Sequence, residues 1–250
     1  MISYLCDTSF EGLLTAIYFA YNEKNECRVL SGSAYQNTLG ETLVDITTNN
    51  YIYSKMESYI CERCGSENLM IMYKAYWGEA PGGADLIFRY FKTALKMKNE
   101  TMLMHADPSV QPVLKIAHRV TMEAHKMQGF IRFIKLEDDL MYSSYAPSSN
   151  TTALVAPHFV ERMTSYNWII HDTIRNVFAV YNKKECIIGH SVPANLPVLT
   201  DIEADFEDLW RSYTVHAAIK ERLNLKLQMS FMPKKYWHFL TEMNSLNMSI

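Results

Sequence analysis

A chain of 250 residues is long enough for one large domain or two small ones. Hydrophobic residues make up 48% and charged residues 20%, which excludes a disordered or fibrous protein, and nine Gly with eight Pro leave little room for long flexible linkers. The 24 Lys and Arg against 27 Asp and Glu give a net charge of −3, which excludes a uniformly basic protein but permits a local basic face.

Met1–Cys6 reads as a strand. Thr8 and Glu11 are spaced as a capping box, and Phe10, Leu13, Leu14, Ile17, Tyr18 and Tyr21 then predict a helix over Ser9–Lys24. Leu43–Thr48 alternates weakly, as a strand would. Tyr51–Cys64 and Ser66–Tyr76 read as two helices broken at Gly65. Gly78–Gly83 is a loop, Ala84–Lys98 a helix, and Asp107-Pro108 opens another with an apolar stripe from Val113 to Ala124. At Gly129, a candidate left-handed helix end, the period turns strand-like. Gly129–Leu136 and Leu140–Tyr145 form a hairpin pattern, and Ala146–Asn150 a polar loop. Thr151–Thr164 is helical around Pro157. Trp168–His171, Val177–Tyr181 and Cys186–His190 are strands; Glu203–Ala217 and Tyr236–Leu246 are helices. This order predicts an α+β fold: a helical N-terminal half packed on a mainly antiparallel sheet, with C-terminal helices. A single domain over 1–250 is expected. Within it, a helical subdomain over 1–105 and a sheet-containing core over 106–250 are the candidate division.

Five Cys, odd in number and scattered, do not make a disulfide framework. Met1–Asp7 lacks the basic and apolar regions of a secretory signal, and no run of roughly 18 apolar residues spans a membrane. A cytoplasmic protein with reduced thiols is expected. Cys61 and Cys64 have zinc-knuckle spacing, but no second pair completes a site, so no metal or other cofactor is expected. Phosphate-loop, dinucleotide, zinc-protease and hydrolase-elbow motifs do not occur.

Two stretches are basic. Lys115–Lys135 holds five cations against Glu123, and Lys220–Lys235 five against Glu221, with Tyr213, Phe231, Tyr236 and Trp237 around the second. Cations neutralise phosphates and aromatic faces stack on unpaired bases, so the mixture suits nucleic acid. Glu123, His125, Arg132, His158, Arg162, Asp172, Arg175, Arg222, Asn224 and Gln228 are polar residues in apolar surroundings that packing alone does not account for. They compose either an ion-pair network or a binding pocket. Trp168, Trp210 and Trp237 read as core anchors.

Three strings carry a resemblance: EAHKMQGFIRF (Glu123–Phe133), PHFVERMTSYNWIIHDTIRN (Pro157–Asn176) and RLNLKLQMSFMPKKYWHFLTE (Arg222–Glu242), with TSFEG at Thr8–Gly12 in support. Together they resemble a bacterial family of DNA metabolism or DNA repair proteins whose domain has no established function. Its relatives occur fused to uracil-DNA-glycosylase-like modules, and its stand-alone form is encoded with a radical SAM protein. The resemblance implies DNA and a radical SAM protein as partners, no membrane, and no established catalytic residue. On that basis Arg132, Arg162, Arg175, Arg222, Asn224, Gln228, Lys234 and Lys235 are the expected nucleic-acid contacts. Lys235 stands where the family is expected to carry Arg, and Lys lacks the bidentate fork. Two alternatives accompany this reading. One is a nucleobase- or nucleotide-processing enzyme using His125 or His158 as acid–base, with Glu123 or Asp172 orienting it. The other is a protein-interaction scaffold that binds no nucleic acid and exposes an apolar patch.

Overall fold

The computed structural model describes residues 1–32, 40–136, 139–190, 209–210, 212–214, 216–217, 219 and 224–243. They form an α+β protein that divides into two compact units, Met1–Met122 and Glu123–Ile250. The boundary falls inside one helix, α5 (Gln111–Phe130), well past residue 105.

The first unit contains a parallel sheet that the weak alternation of its strands conceals. β1 (Ile2–Cys6) is central, with β2 (Cys27–Ser31) and β3 (Thr42–Ile46) on either side. The strands expected over Met1–Cys6 and Leu43–Thr48 are β1 and β3, whereas β2 reads from sequence as no element at all. The helices α1 (Phe10–Asn22), α2 (Asn50–Cys64), α3 (Ser66–Tyr76) and α4 (Gly83–Met97) supply the core. The cap of α1 is Ser9, whose Oγ accepts from the Gly12 amide, one residue beyond the Thr8 expected there. Gly65 joins α2 to α3 at φ +94°, where a Cβ would collide with the Asn99 side-chain amide. Asn68, fully buried beside it, accepts from Tyr90 Oη (2.6 Å) and donates to the carbonyls of Cys64 (2.7 Å) and Lys98 (3.3 Å).

The second unit holds a five-stranded sheet in the order β4 (Ile134–Lys135), β5 (Leu140–Tyr145), β6 (Asn167–Asp172), β7 (Val177–Tyr181) and β8 (Cys186–Gly189). Every pairing is antiparallel except β5 with β6, which α6 (Thr152–Arg162) connects as a crossover. One face carries Tyr145, Trp168, Ile170, Ala179 and Tyr181 and packs with Val155, Ala156 and Phe159 of α6. Pro157 lies inside α6 without ending it. Gly129 does not end its helix in a left-handed turn. It lies within α5, which continues to Phe130, so the strand expected from Gly129 shrinks to two residues. The reason is packing: Phe130 meets Tyr236 (5.6 Å between ring centres), and Phe133 meets Phe159 (5.2 Å) and Trp168 (6.2 Å).

Beyond the sheet come a helix that the sequence pattern did not show, α7 (Leu225–Phe231), and two 3-10 turns, Lys234–Phe239 and Thr241–Met243. Trp168 and Trp237 are core residues as expected, whereas Trp210 is exposed. The expected helix over 203–217 is described only at residues from 209 onward, where Leu209, Trp210, Ser212, Tyr213 and Thr214 are helical.

Candidate nucleic-acid interface

The polar residues of the second unit separate into a buried framework and an exposed surface. The framework is organised around the loop Ala146–Asn150. Glu123, on the inner side of α5 and only 7% exposed, accepts from the backbone amides of Ser148 (2.7 Å) and Ser149 (2.9 Å) and from Tyr236 Oη (2.6 Å). Burial pushes its carboxyl upward. The Tyr236 hydroxyl and the two amides outweigh that and hold it below the usual carboxylate range. Burial, with the Glu123 contact behind it, pushes the Tyr236 phenol far up.

Arg175 grips the loop from the other side, donating to the carbonyls of Pro147 (3.1 Å) and Ser148 (2.7 Å) and to Asp172 (3.0 Å). Asp172 is fully buried and also accepts from the amides of Ile174 (2.9 Å) and Arg175 (3.3 Å). The loop's amides and carbonyls are thus consumed by one carboxylate and one guanidinium. Ser148 is left exposed at the tip with its hydroxyl 2.5 Å from Lys235 Nζ.

Arg132 donates to the Gly129 carbonyl (2.6 Å) and pairs with Glu242 (2.8 Å). Burial pushes the Glu242 carboxyl up, and the hydrogen bond from Arg132 leads the contacts that bring it below its ordinary value. The other oxygen of Glu242 accepts from Trp210 Nε1 (3.3 Å), and the exposed Trp210 ring stacks on Tyr213 (5.6 Å between centres, planes 26° apart). Lys234 and Lys235 are exposed over the rings of Trp237 (5.8 Å) and Tyr236 (4.5 Å).

Of the eight expected contacts, Arg132 and Arg175 are engaged internally, while Arg162, Lys234 and Lys235 face solvent. Asn224 caps α7 by accepting from the Leu227 amide (3.0 Å), and Gln228 lies 3.8 Å from the Met243 sulfur. Arg222 lies outside the described residues. The four acid–base candidates do not form dyads. His125 is exposed while Glu123, two positions away on α5, is buried, because two residues turn a helix by about 200°. Among the described residues neither His125 nor His158 hydrogen-bonds a carboxylate.

The histidine that does sit in a network is His171. Its Nδ1 is 2.8 Å from Tyr142 Oη and its Nε2 is 3.2 Å from Asn176 Oδ1, with its ring stacked 4.1 Å from Phe178. An amide oxygen only accepts, so Nε2 carries the proton and Nδ1 accepts from the phenol. The sequence shows His171 but not Tyr142. Their meeting depends on the parallel register that pairs Ser144 with His171, which no local pattern reveals.

Among the described residues no group of three or more His, Cys, Asp and Glu is placed to hold a metal. Cys64 is buried at the end of α2, which pushes its thiol up to about 11. No described helix is long and apolar enough to cross a membrane.

The fold is that of an α+β protein of two units, the second of which carries a loop-organising polar framework and exposes Trp210, Tyr213, Lys234 and Lys235. Residues 81–242 match the family model DUF4130, a domain of unknown function, and the chain belongs to that family. No curated protein sequence matches the chain significantly, and neither does any solved structure.

Proposed function

We propose that this protein takes part in DNA metabolism or repair by binding single-stranded DNA through its second unit. The observation that carries this reading is the stacked Trp210–Tyr213 pair, 43% and 61% exposed, held by Glu242 rather than packed into the core. Unpaired bases stack on exposed aromatic faces and phosphates pair with exposed cations. Lys234 and Lys235 supply those cations, and the Glu123–Arg175 framework keeps the Ser148 tip and the Lys235 ammonium in one place. The resemblance of the three sequence strings supports DNA as the ligand and a radical SAM protein as the partner that would receive the strand.

Fluorescence anisotropy with single-stranded and duplex DNA at two salt concentrations tests this. Single strands bind more tightly, and log affinity falls with log salt by about 0.7 per phosphate contact. Trp210→Ala weakens binding about tenfold, from the loss of one stacked base. The Lys234→Glu/Lys235→Glu double variant flattens the salt slope. A folded Trp210→Ala protein with unchanged affinity refutes the assignment.

A second reading has its own support. Leu227 and Phe231, four residues apart on one face of α7, are exposed at 54% and 68%. Such an apolar surface suits a protein partner. Binding of the radical SAM protein that Phe231→Ser abolishes, without DNA affinity in the wild type, would favour the scaffold.

A further inference from the structure

Arg132 lies just past the end of α5 and is held at three points. Its Nη1 donates to the carbonyls of Gly129 (2.6 Å) and Ile131 (3.3 Å), and its Nη2 pairs with one oxygen of Glu242 (2.8 Å). A cation against the last carbonyls of a helix is favourably placed. Glu242, in the 3-10 turn Thr241–Met243, gives its second oxygen to Trp210 Nε1 (3.3 Å). One carboxylate thus links the end of α5 to the stacked Trp210–Tyr213 pair.

Three features give this link a purpose. The first is freedom of the ring. An indole turns about two side-chain torsions, and at 43% exposure packing restrains Trp210 only in part, so the bond at its Nε1 edge adds a restraint on both torsions. The second is the donor count. A guanidinium and an indole N–H share one side chain, and a carboxylate offers an oxygen to each. The amide of Gln has one oxygen only and turns an NH2 toward the other donor. The third is charge. A carboxylate repels phosphates, but the Arg132 guanidinium cancels this one, so the pair holds the indole without adding net charge.

We propose that Glu242 is the positioning residue of the strand site: anchored by Arg132, it fixes the plane of Trp210 before a base arrives. Neither Glu242 nor Arg132 touches the strand. The inference rests on the single-strand reading above. A ring already held in its stacking orientation loses no freedom on binding, and ordering one such side chain in advance is worth about two- to tenfold in affinity. The role fixes a sign. By charge alone, removing an acid from a strand-binding surface tightens binding, whereas loss of positioning weakens it.

Glu242→Gln in the full chain decides between the two signs. Single-stranded oligothymidylate is titrated by fluorescence anisotropy, and the indole N–H resonances are followed by proton–nitrogen correlation NMR, with that of Trp210 identified as the signal absent from Trp210→Ala. Glu242→Gln is expected to weaken strand binding about two- to tenfold, to move the Trp210 N–H signal and to speed its exchange with water. In the Trp210→Ala background the same change is expected to cost nothing further, because no ring is left to position. Equal or tighter binding by folded Glu242→Gln, or a cost that persists in Trp210→Ala, overturns the positioning role and leaves strand binding in place. An unmoved Trp210 N–H signal overturns it without any DNA. If Glu242→Gln fails to fold, the wild-type protein decides: a Trp210 N–H that exchanges as fast as that of free tryptophan overturns the anchor, and a slower one supports it. Absence of strand binding by the wild type overturns the single-strand reading and this role with it, even where the N–H signal reports an intact bond.

Discussion

Replacing Glu123 by Ala is the sharpest test of the framework that holds the Ala146–Asn150 loop. The substitution removes the acceptor of the Ser148 and Ser149 amides and of the Tyr236 hydroxyl, three donors at 2.6–2.9 Å. A buried donor left without a partner costs about 1–3 kcal/mol. Ser148 lies at an exposed tip where water can serve its amide, while Ser149 and Tyr236 are buried. The expected loss is therefore about 3 kcal/mol, a large part of a typical total of about 5–15 kcal/mol. The contact with Lys235, at 3.6 Å and half exposed, adds little. Urea unfolding followed by tryptophan fluorescence reads the loss, and hydrogen exchange reads its location, with the Ser148 and Ser149 amides accelerated ahead of those in β6 and β7. A loss under about 1 kcal/mol with unchanged exchange would refute the reasoning, because the donors would then have been satisfied otherwise. The pH dependence has a definite sign. Glu123 is held below its ordinary value of about 4.3, so its stabilisation is present above that value and is lost as pH falls through the folded-state value. Glu123→Gln should flatten the acid limb of the stability curve there.

Three further outcomes follow from the same structure. Asn68→Ala orphans the Tyr90 hydroxyl and removes the donor to the Cys64 carbonyl, while the Lys98 carbonyl keeps the Thr101 hydroxyl, and should cost about 2–3 kcal/mol; a Tyr90→Phe/Asn68→Ala double variant losing the full sum of the singles would show that the pair does not act together. Gly65→Ala places a side chain at φ +94° against Asn99 and should lower stability by at least about 1 kcal/mol in thermal melts, and an unchanged melting temperature would count against the tight α2–α3 joint. Arg175→Lys keeps the charge but cannot reach Pro147, Ser148 and Asp172 at once, so a cost of about 1–2 kcal/mol with faster loop exchange is expected; full retention of both would mean that charge alone holds the loop.

What could be read in advance followed the length of each signal. The long amphipathic helices and the strands Asn167–Asp172, Val177–Tyr181 and Cys186–Gly189 announce themselves, because buried aromatic and β-branched runs bounded by turn residues have few competing readings. The parallel sheet of the first unit does not. Two of its strands read as such, but β2 does not, and the pairing of β1 with both β2 and β3 is fixed by contacts distant in sequence. Gly129 shows the complementary failure: a glycine after a helical stripe is a reasonable stop, but the Phe130–Tyr236 contact rewards one more helical residue.

The arginines show why a polar set cannot be sorted by composition. Arg132, Arg162 and Arg175 all lie at element ends in aromatic-rich sequence, and each is equally suited to a phosphate or a carboxylate. What separates them is the position of acids far along the chain. Glu242 lies 110 residues from Arg132, and their pair is invisible until the chain folds. Asp172 is only three residues from Arg175, yet that proximity alone would not reveal that the same guanidinium also holds two carbonyls of the Pro147–Ser148 segment. Internal pairing removes Arg132 and Arg175 from the pool of free cations and turns them into supports. The solvent-facing positive charge passes to Arg162, Lys234 and Lys235, the last of them also beside Ser148 and Glu123, and the exposed aromatic faces are those of Trp210 and Tyr213. Any ligand that binds here by charge must therefore meet the lysines first, and mutation of the two engaged arginines should change stability before it changes affinity.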